Sequence, residues 1–232
     1  MKRTAVITGG TRGLGRALVR AFAERGYRVH ATGTDQRALH ALQRESARAG
    51  HEVVPLRGDV SSVEDNAALA RRIEGEGSAV DVLVHNAGLL GAAATSLAEY
   101  PPDVFARVMA VNVFGPFDLT RQLVPLLAPN AAIEFVTSGV SVGPRTGWGA
   151  YNVSKIALDG LAGIWARELR DRGVRVYIID PRPMRTAMRA SAYPDEDPAT
   201  LPTPEEHVAG YVRLAEADEG SPSGERFRAD AL

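Results

Sequence analysis

Tyr151 stands four residues before Lys155 in the stretch WGAYNVSKIALDGL, and Ala157, Leu161, Ile164, Trp165 and Leu169 then recur at helical spacing. Residues i and i+4 lie one above the other on a helix, so a phenol and an ammonium are expected side by side. The pair alone is uninformative, because Tyr and Lys four apart also occur on solvated helix faces. A second stretch, VITGGTRGLGRAL, has chemistry of its own. Gly9, Gly13 and Gly15 follow a β-rich run and open an amphipathic one. Glycines permit a sharp turn and let a pyrophosphate approach the backbone. A helix start offers unpaired N–H groups and the positive end of its dipole. The alternative is a glycine-rich turn with no ligand; the strand before and the helix after favour dinucleotide binding.

These residues need a scaffold, and the chain supplies alternating elements. Short Val/Ile-rich runs at 4–9, 27–32, 51–57, 81–86, 131–138 and 174–180 read as strands buried on both faces. Helix-length segments lie between them. Leu14, Ala17, Leu18, Ala21 and Phe22 form one apolar stripe, and Asp35 is placed to cap a helix running to Ala49. Repeated β-α-β units predict an α/β fold: a Rossmann-like, doubly wound parallel sheet with helices on both faces. From 181 to 204 the chain is rich in Pro, Arg, Asp and Met and reads as a loop with one short helix near TAMRASA. Thr203 and Pro204 then mark a helix start, and SGERFRAD suits a short closing strand. No repeat or linker divides the chain, so residues 1–232 are expected to form a single domain, with a substrate loop at about 182–203.

The totals narrow the function. The chain has 232 residues, 45% hydrophobic and 24% charged, with a formal net charge of −1. Such a balance gives no electrostatic reason to expect nucleic acid or a membrane surface as partner. The absence of cysteine excludes disulfides and thiol catalysis. His30, His40, His51, His85 and His207 are scattered without ligand spacing, so no metal is expected. The N-terminal apolar run is too short for a signal-peptide core, and a cytoplasmic protein is expected.

The tip of the second strand bears on the cofactor. A carboxylate there would bind a ribose 2′-hydroxyl and favour NAD. Gly33 and Thr34 occupy the tip, Asp35 comes later, and Arg12 in the glycine loop could pair with a 2′-phosphate. This leans towards NADP, with NAD possible; alternatively Arg12 is only solvated and Asp35 only a helix cap.

Together these features resemble the short-chain dehydrogenases/reductases over nearly the whole chain. TGGTRGLG, with Gly9, Thr11, Arg12, Gly13, Leu14 and Gly15, is similar to the family's cofactor loop. GDV matches its adenine-contacting segment, here Asp59 and Val60. HNAG, with Asn86, Ala87 and Gly88, looks like its Asn-Asn-Ala-Gly motif with His85 in place of the first Asn. Asn112, Ser138, Tyr151 and Lys155 match its catalytic set. The resemblance implies that Tyr151 exchanges a proton with the substrate oxygen, its pKa of about 10 lowered by Lys155 and the oxidised cofactor. Ser138 would hydrogen-bond the same oxygen, Lys155 would grip the nicotinamide ribose, and Asn112 would hold a water linking Lys155 to solvent. Thr137 and Ser141 are rivals to Ser138. Asn112 could instead be a packing residue, and Asn86 could tie strand ends together.

One motif departs. Pro181 and Thr186 match the family's stretch after the sixth strand, but Arg182 followed by Pro183 replaces its glycine. Pro183 is expected to hold Arg182 extended. Either the loop shifts slightly and keeps its role, or Arg182 reaches an anion, or nicotinamide binding is impaired. Gly139, Val140, Met184, Met188 and Tyr193 are expected to line the substrate pocket, and Asp195, Glu196 and Asp197 to form a solvated acidic turn. The leading expectation is an NADP(H)-preferring oxidoreductase for a carbonyl/secondary alcohol pair, assembled as a homodimer or homotetramer. A non-catalytic nucleotide-binding protein on the same fold is the rival. Nucleotide-sugar chemistry on the Tyr-Lys pair fits less well, since the glycine spacing differs.

Overall fold

The first strand, β1 (Thr4–Ile7), is buried at every position, and the other strands are built around it. The computed structural model describes residues 2–218 and 222–231; Met1, 219–221 and Leu232 of the expected domain lie outside the described residues. From β1 the chain runs through α1 (Gly13–Glu24), β2 (Arg28–Gly33), α2 (Gln36–Arg48), β3 (Val53–Arg57), α3 (Val63–Gly75) and β4 (Val80–His85). A long helical run follows: α4 (Pro102–Met109), a π-helical turn at Ala110–Phe114, and α5 (Gly115–Leu123). Then come β5 (Leu127–Val136), α6 (Gly149–Glu168), β6 (Arg175–Asp180), α7 (Ala187–Ala192), α8 (Val208–Ala215) and β7 (Arg226–Arg228).

The strands form one parallel sheet in the order β3-β2-β1-β4-β5-β6-β7. Leu14, Leu18 and Phe22 of α1 pack on one face with Leu42 of α2 and Tyr211 of α8. Leu69 and Ile73 of α3, Leu119 and Leu123 of α5, and Leu158 and Ala162 of α6 cover the other. This is the doubly wound α/β fold expected. The strand order reverses between β1 and β4, and in such sheets ligands bind beyond the carboxyl ends of the strands at that point.

Local details refine the expectations. Asp35 caps α2, accepting from the N–H groups of Arg37 and Ala38 at 2.9 and 3.1 Å. Thr203 and Glu206 form a capping box, but the chain first makes a 3₁₀ turn at Pro204–His207 and becomes α-helical only from Val208. Among the described residues no helix is long and apolar enough to cross a membrane, and no cluster of His, Cys, Asp and Glu could hold a metal.

Candidate active site

The loops at the carboxyl ends of β1, β4, β5 and β6 bring the singled-out residues to one edge of the sheet. The glycine loop follows β1. Gly9 and Gly13 take φ of +65° and +50°, conformations that favour glycine. A Cβ on Gly15 would lie 2.1 Å from the Gly9 carbonyl oxygen, and one on Gly33 would lie 2.7 Å from Thr11 Cγ2. The loop therefore folds against itself and against the tip of β2. Arg12 precedes α1 without a capping hydrogen bond from its side chain, so the first-turn N–H groups remain open to an anion. The side chain of Leu14 is packed in the core.

Asn86 locks this loop to the end of β4. Its Nδ2 donates to the carbonyls of Thr8 and Gly9 at 2.9 and 3.2 Å, and its N–H donates to Thr8 Oγ1 at 3.0 Å. Ala87 N–H shares that acceptor at 3.0 Å. His85 is structural: it is buried, bonded to Thr120 Oγ1 at 2.7 Å and stacked on Phe135. Burial pushes its pKa down to about 3, so it is neutral. Asp59 accepts from Ser61 N–H and Oγ at 3.0 and 2.7 Å and from Arg107 of α4. Val60 is buried beside Gly115, where a Cβ would meet its carbonyl oxygen at 2.8 Å.

Asn112 sits inside the π-helical turn, a local irregularity often found at functional sites. Its carboxamide is fully used: Oδ1 accepts from Leu89 N–H at 2.8 Å, and Nδ2 donates to Leu89 O and Ser154 Oγ, each at 2.9 Å. Gly88 lies against it, since a Cβ there would be 3.5 Å from Asn112 Oδ1 and 3.8 Å from Lys155 Nζ.

Tyr151 and Lys155 are both buried on α6. Lys155 Nζ donates to the Val136 carbonyl at 2.7 Å. Burial pushes the ammonium down to about 8, with Asp159 acting in the opposite direction. Burial likewise pushes the Tyr151 phenol up to about 12; a hydrogen bond with the Ser138 side chain lowers it and Asp180 adds to the rise. Desolvation is the largest influence on the phenol, ahead of the Ser138 hydrogen bond. Ser138, not its rivals, meets Tyr151. Thr137 Oγ1 and Ser141 Oγ are turned to Asp159.

The departing motif keeps a glycine's conformation. Arg182 has φ of +64° instead of the extended form expected before Pro183. The Asp180 carboxylate takes its N–H at 3.1 Å, while Asp230 lies 3.4 Å from its Nε. These contacts offset the strain of a left-handed residue, on the order of 1–3 kcal/mol. The guanidinium lies 3.8 Å from Asp180 and 3.4 Å from Asp230. Thr186 caps α7 through Arg189 N–H and faces the glycine loop, its Cγ2 3.4 Å from where a Gly13 Cβ would be.

The substrate side is partly corrected. Val140 and Met184 are buried, Met184 in the core with Ile179 and Tyr211; Met188 and Tyr193 are exposed and Gly139 half-buried. Glu196 is not merely solvated: it receives Arg189 at 2.6 and 2.7 Å, and Asp197 caps the next turn. Two residues were missed. Trp148 lies with its ring centre 5.9 Å from those of both Tyr151 and Tyr193. Tyr100 wedges between Gly91 and Gly149, bonds Ala92 N–H at 2.9 Å, and so sets the start of α6. Tyr100 carries no local signal, because it acts through Gly149, distant in the chain, whereas Trp148 stands three residues before Tyr151.

A buried phenol and ammonium, a hydroxyl on the phenol, and an open helix start beyond a glycine loop define a dinucleotide-dependent enzyme fold. The short chain dehydrogenase family model matches residues 3–197. The chain is 36% identical to the oxidoreductase YciK of Escherichia coli K12, over 98% of this chain and 91% of that protein. Its fold superposes with a TM-score of 0.93 on a short chain dehydrogenase from Salmonella enterica serovar Typhi, 33% identical, over 99% and 96% of the two chains. A short chain dehydrogenase from Escherichia coli CFT073, solved with NADPH, gives a TM-score of 0.92 at 35% identity, over 98% and 96%. The chain belongs to the short chain dehydrogenase family of oxidoreductases.

Proposed function

We propose that the protein is an NADP(H)-dependent oxidoreductase that interconverts a small carbonyl compound and its secondary alcohol, with Tyr151 as general acid/base. The observation that carries this reading is the burial of Tyr151 and Lys155 together beside Ser138, with Lys155 next to the Gly88 turn after β4. A nicotinamide cofactor, when bound, supplies the hydride. Gly9 to Gly15 and the start of α1 hold its pyrophosphate; Pro181 and Thr186 border the nicotinamide end, and Asp59 and Val60 the adenine end. Ser138 donates to the substrate oxygen and orients it. Tyr151, a phenol at neutral pH, delivers the proton to that oxygen during reduction. Lys155 restores the proton and binds the ribose. The Asn112 carboxamide is spent on Leu89 and Ser154, so Asn112 acts here by tying the π-helical turn to α6.

NADP is preferred over NAD because Asp35 is occupied as a helix cap, whereas Arg12 is exposed beside the loop. The NADPH-bound relative is in line with this. The rival, a non-catalytic protein, rests on Arg182–Pro183, and measured turnover separates it from the enzyme reading. The segment 182–203 serves as substrate loop, with Met188 and Tyr193 as its exposed apolar residues.

The protein assembles with itself through the run 102–123 and α6. Phe114, Phe117, Ile156 and Ile164 are exposed there at 43%, 38%, 41% and 56%. Phe114 and Phe117 line a shallow apolar groove with Met109, Val113 and Leu161. A purely monomeric sedimentation profile at micromolar concentration refutes this assembly. Calorimetric titration with NADPH and with NADH tests the main reading: tight NADPH and weak NADH are expected, followed by turnover in a carbonyl screen. Failure of both to bind overturns it. The protein is expected to work in the cytoplasm.

A further inference from the structure

The last strand reaches into the site. Arg226 of β7 lies beside Ile178 of β6 and extends its guanidinium beneath the Ser138 turn. Its Nη2 donates to the Ser138 carbonyl at 2.8 Å and to Asp180 Oδ2 at 3.3 Å. Its Nη1 donates to Ser141 Oγ at 2.6 Å and to Asp159 Oδ2 at 2.7 Å. One planar cation thus joins three elements: the turn after β5, α6, and the end of β6.

Each acceptor leads to a group of the candidate site. The Ser138 carbonyl also takes Ser141 N–H and Oγ, each at 3.0 Å, so the turn carrying the Ser138 hydroxyl is pinned from below. The other oxygen of Asp180 holds Arg182 N–H at 3.1 Å, which fixes the backbone where the family's glycine is missing. Asp159, one helical turn beyond Lys155, is the charged group acting on that ammonium.

We propose that Arg226 is a positioning residue of the active site, a bidentate strut that sets the Ser138 turn against the Pro181–Pro183 loop. This rests on the oxidoreductase reading for its consequence in catalysis, while its geometry can be tested without turnover. A planar guanidinium meets these acceptors together; an ammonium acts as a point charge and cannot.

The charges facing the Tyr151–Lys155 pair are Asp159 from α6, Asp180 from β6, and Arg226 from β7. Arg226 pairs with both carboxylates and shares Asp180 with Arg182 of the following loop. Its removal frees Asp159 to stabilise the Lys155 ammonium, so the Lys155 pKa should rise. Lys2 is the only other lysine of the chain, so carbon-13 NMR of labelled lysine ε-carbons follows Lys155 directly in the free protein.

The experiment compares wild type with Arg226→Met and the milder Arg226→Gln. Expected are an upward shift of the Lys155 titration by about one pH unit, equivalent to about 1.4 kcal/mol, and NADPH affinity within about threefold, since the phosphate cradle is untouched. A fall of about tenfold or more in kcat on a phenanthrenequinone probe is expected, with little change in KM, as displaced reacting groups cost this order. The Asp159→Asn variant should move Lys155 the opposite way. A folded Arg226 variant with an unchanged Lys155 titration overturns the proposal. So does unchanged kcat in an enzyme whose wild type turns the probe over. If wild type neither binds NADPH nor turns over, the oxidoreductase reading fails instead, and the Lys155 titration still decides whether Arg226 organises the pair.

Discussion

Lys155 Nζ lies 5.7 Å from the centre of the Tyr151 ring and gives its hydrogen bond to the Val136 carbonyl. Burial is the largest influence on the proton affinity of both groups. Tyr151, pushed up to about 12, keeps its proton across the neutral range. Carbonyl reduction should run at constant kcat between about pH 6 and 8, because its acid is fully protonated there. Above about 8, where Lys155 loses its charge, reduction should decline. Alcohol oxidation, which needs the phenolate, should increase with pH. Rate profiles in both directions check this. Tyr151→Phe should lower the reduction rate by about 10²–10⁴-fold with NADPH binding retained; an unchanged rate would remove Tyr151 from the chemistry.

The same burial makes Lys155 costly to the fold. Its pKa in the folded protein is about 8, against 10.5 unperturbed. Between these values the unfolded chain binds more protons, so stability rises with pH across that window. Below about 8 the folded state carries the full cost of the buried ammonium, up to about 3 kcal/mol. Lys155→Met should therefore raise the urea midpoint at pH 7 while abolishing turnover. A lowered midpoint would mean that the Val136 bond outweighs desolvation.

Glu134 poses a related test far from the chemistry. It lies between Val84 and Tyr177 in the sheet, buried, and its carboxylate oxygens have no hydrogen-bond partner among the described residues. Burial pushes its pKa well above the usual range, against the pull of Arg175. A raised folded pKa contributes stability below the unfolded value, lost as pH rises through the folded one. Glu134→Met should flatten the decline in stability above about pH 5 and add about 1–4 kcal/mol at higher pH. Denaturation curves for both proteins at matched pH values would show it, and parallel curves would refute it.

Cofactor choice can be divided between two positions. Arg12→Ala should weaken NADPH by about tenfold or more and NADH little, as charge-assisted bonds to phosphate contribute about 1.5–3 kcal/mol. Gly33→Ala should weaken both, because its Cβ would stand 2.7 Å from Thr11 Cγ2 and push the glycine loop outward. Paired calorimetric titrations separate the two patterns; equal losses from Arg12→Ala would remove its phosphate role.

The fold was legible in the chain itself. Val/Ile runs between amphipathic segments dictate a parallel sheet, and Gly9, Gly13, Tyr151 and Lys155 are local signals: a turn needs its glycines, and a helix stacks residues four apart; Asn86 entered only through resemblance to the family. Tertiary structure alone decided the rest. The path of the chain cannot say that desolvation raises Tyr151, that the Val136 carbonyl accepts a hydrogen bond from Lys155, or that Val140 and Met184 turn inward. Nor does local sequence report that Asp180 and Asp230 hold Arg182 left-handed before a proline, or that Arg226 reaches Ser138 across 88 positions of chain. Propensity and periodicity act between neighbours in sequence, whereas burial, charge balance and strain depend on what folding brings alongside.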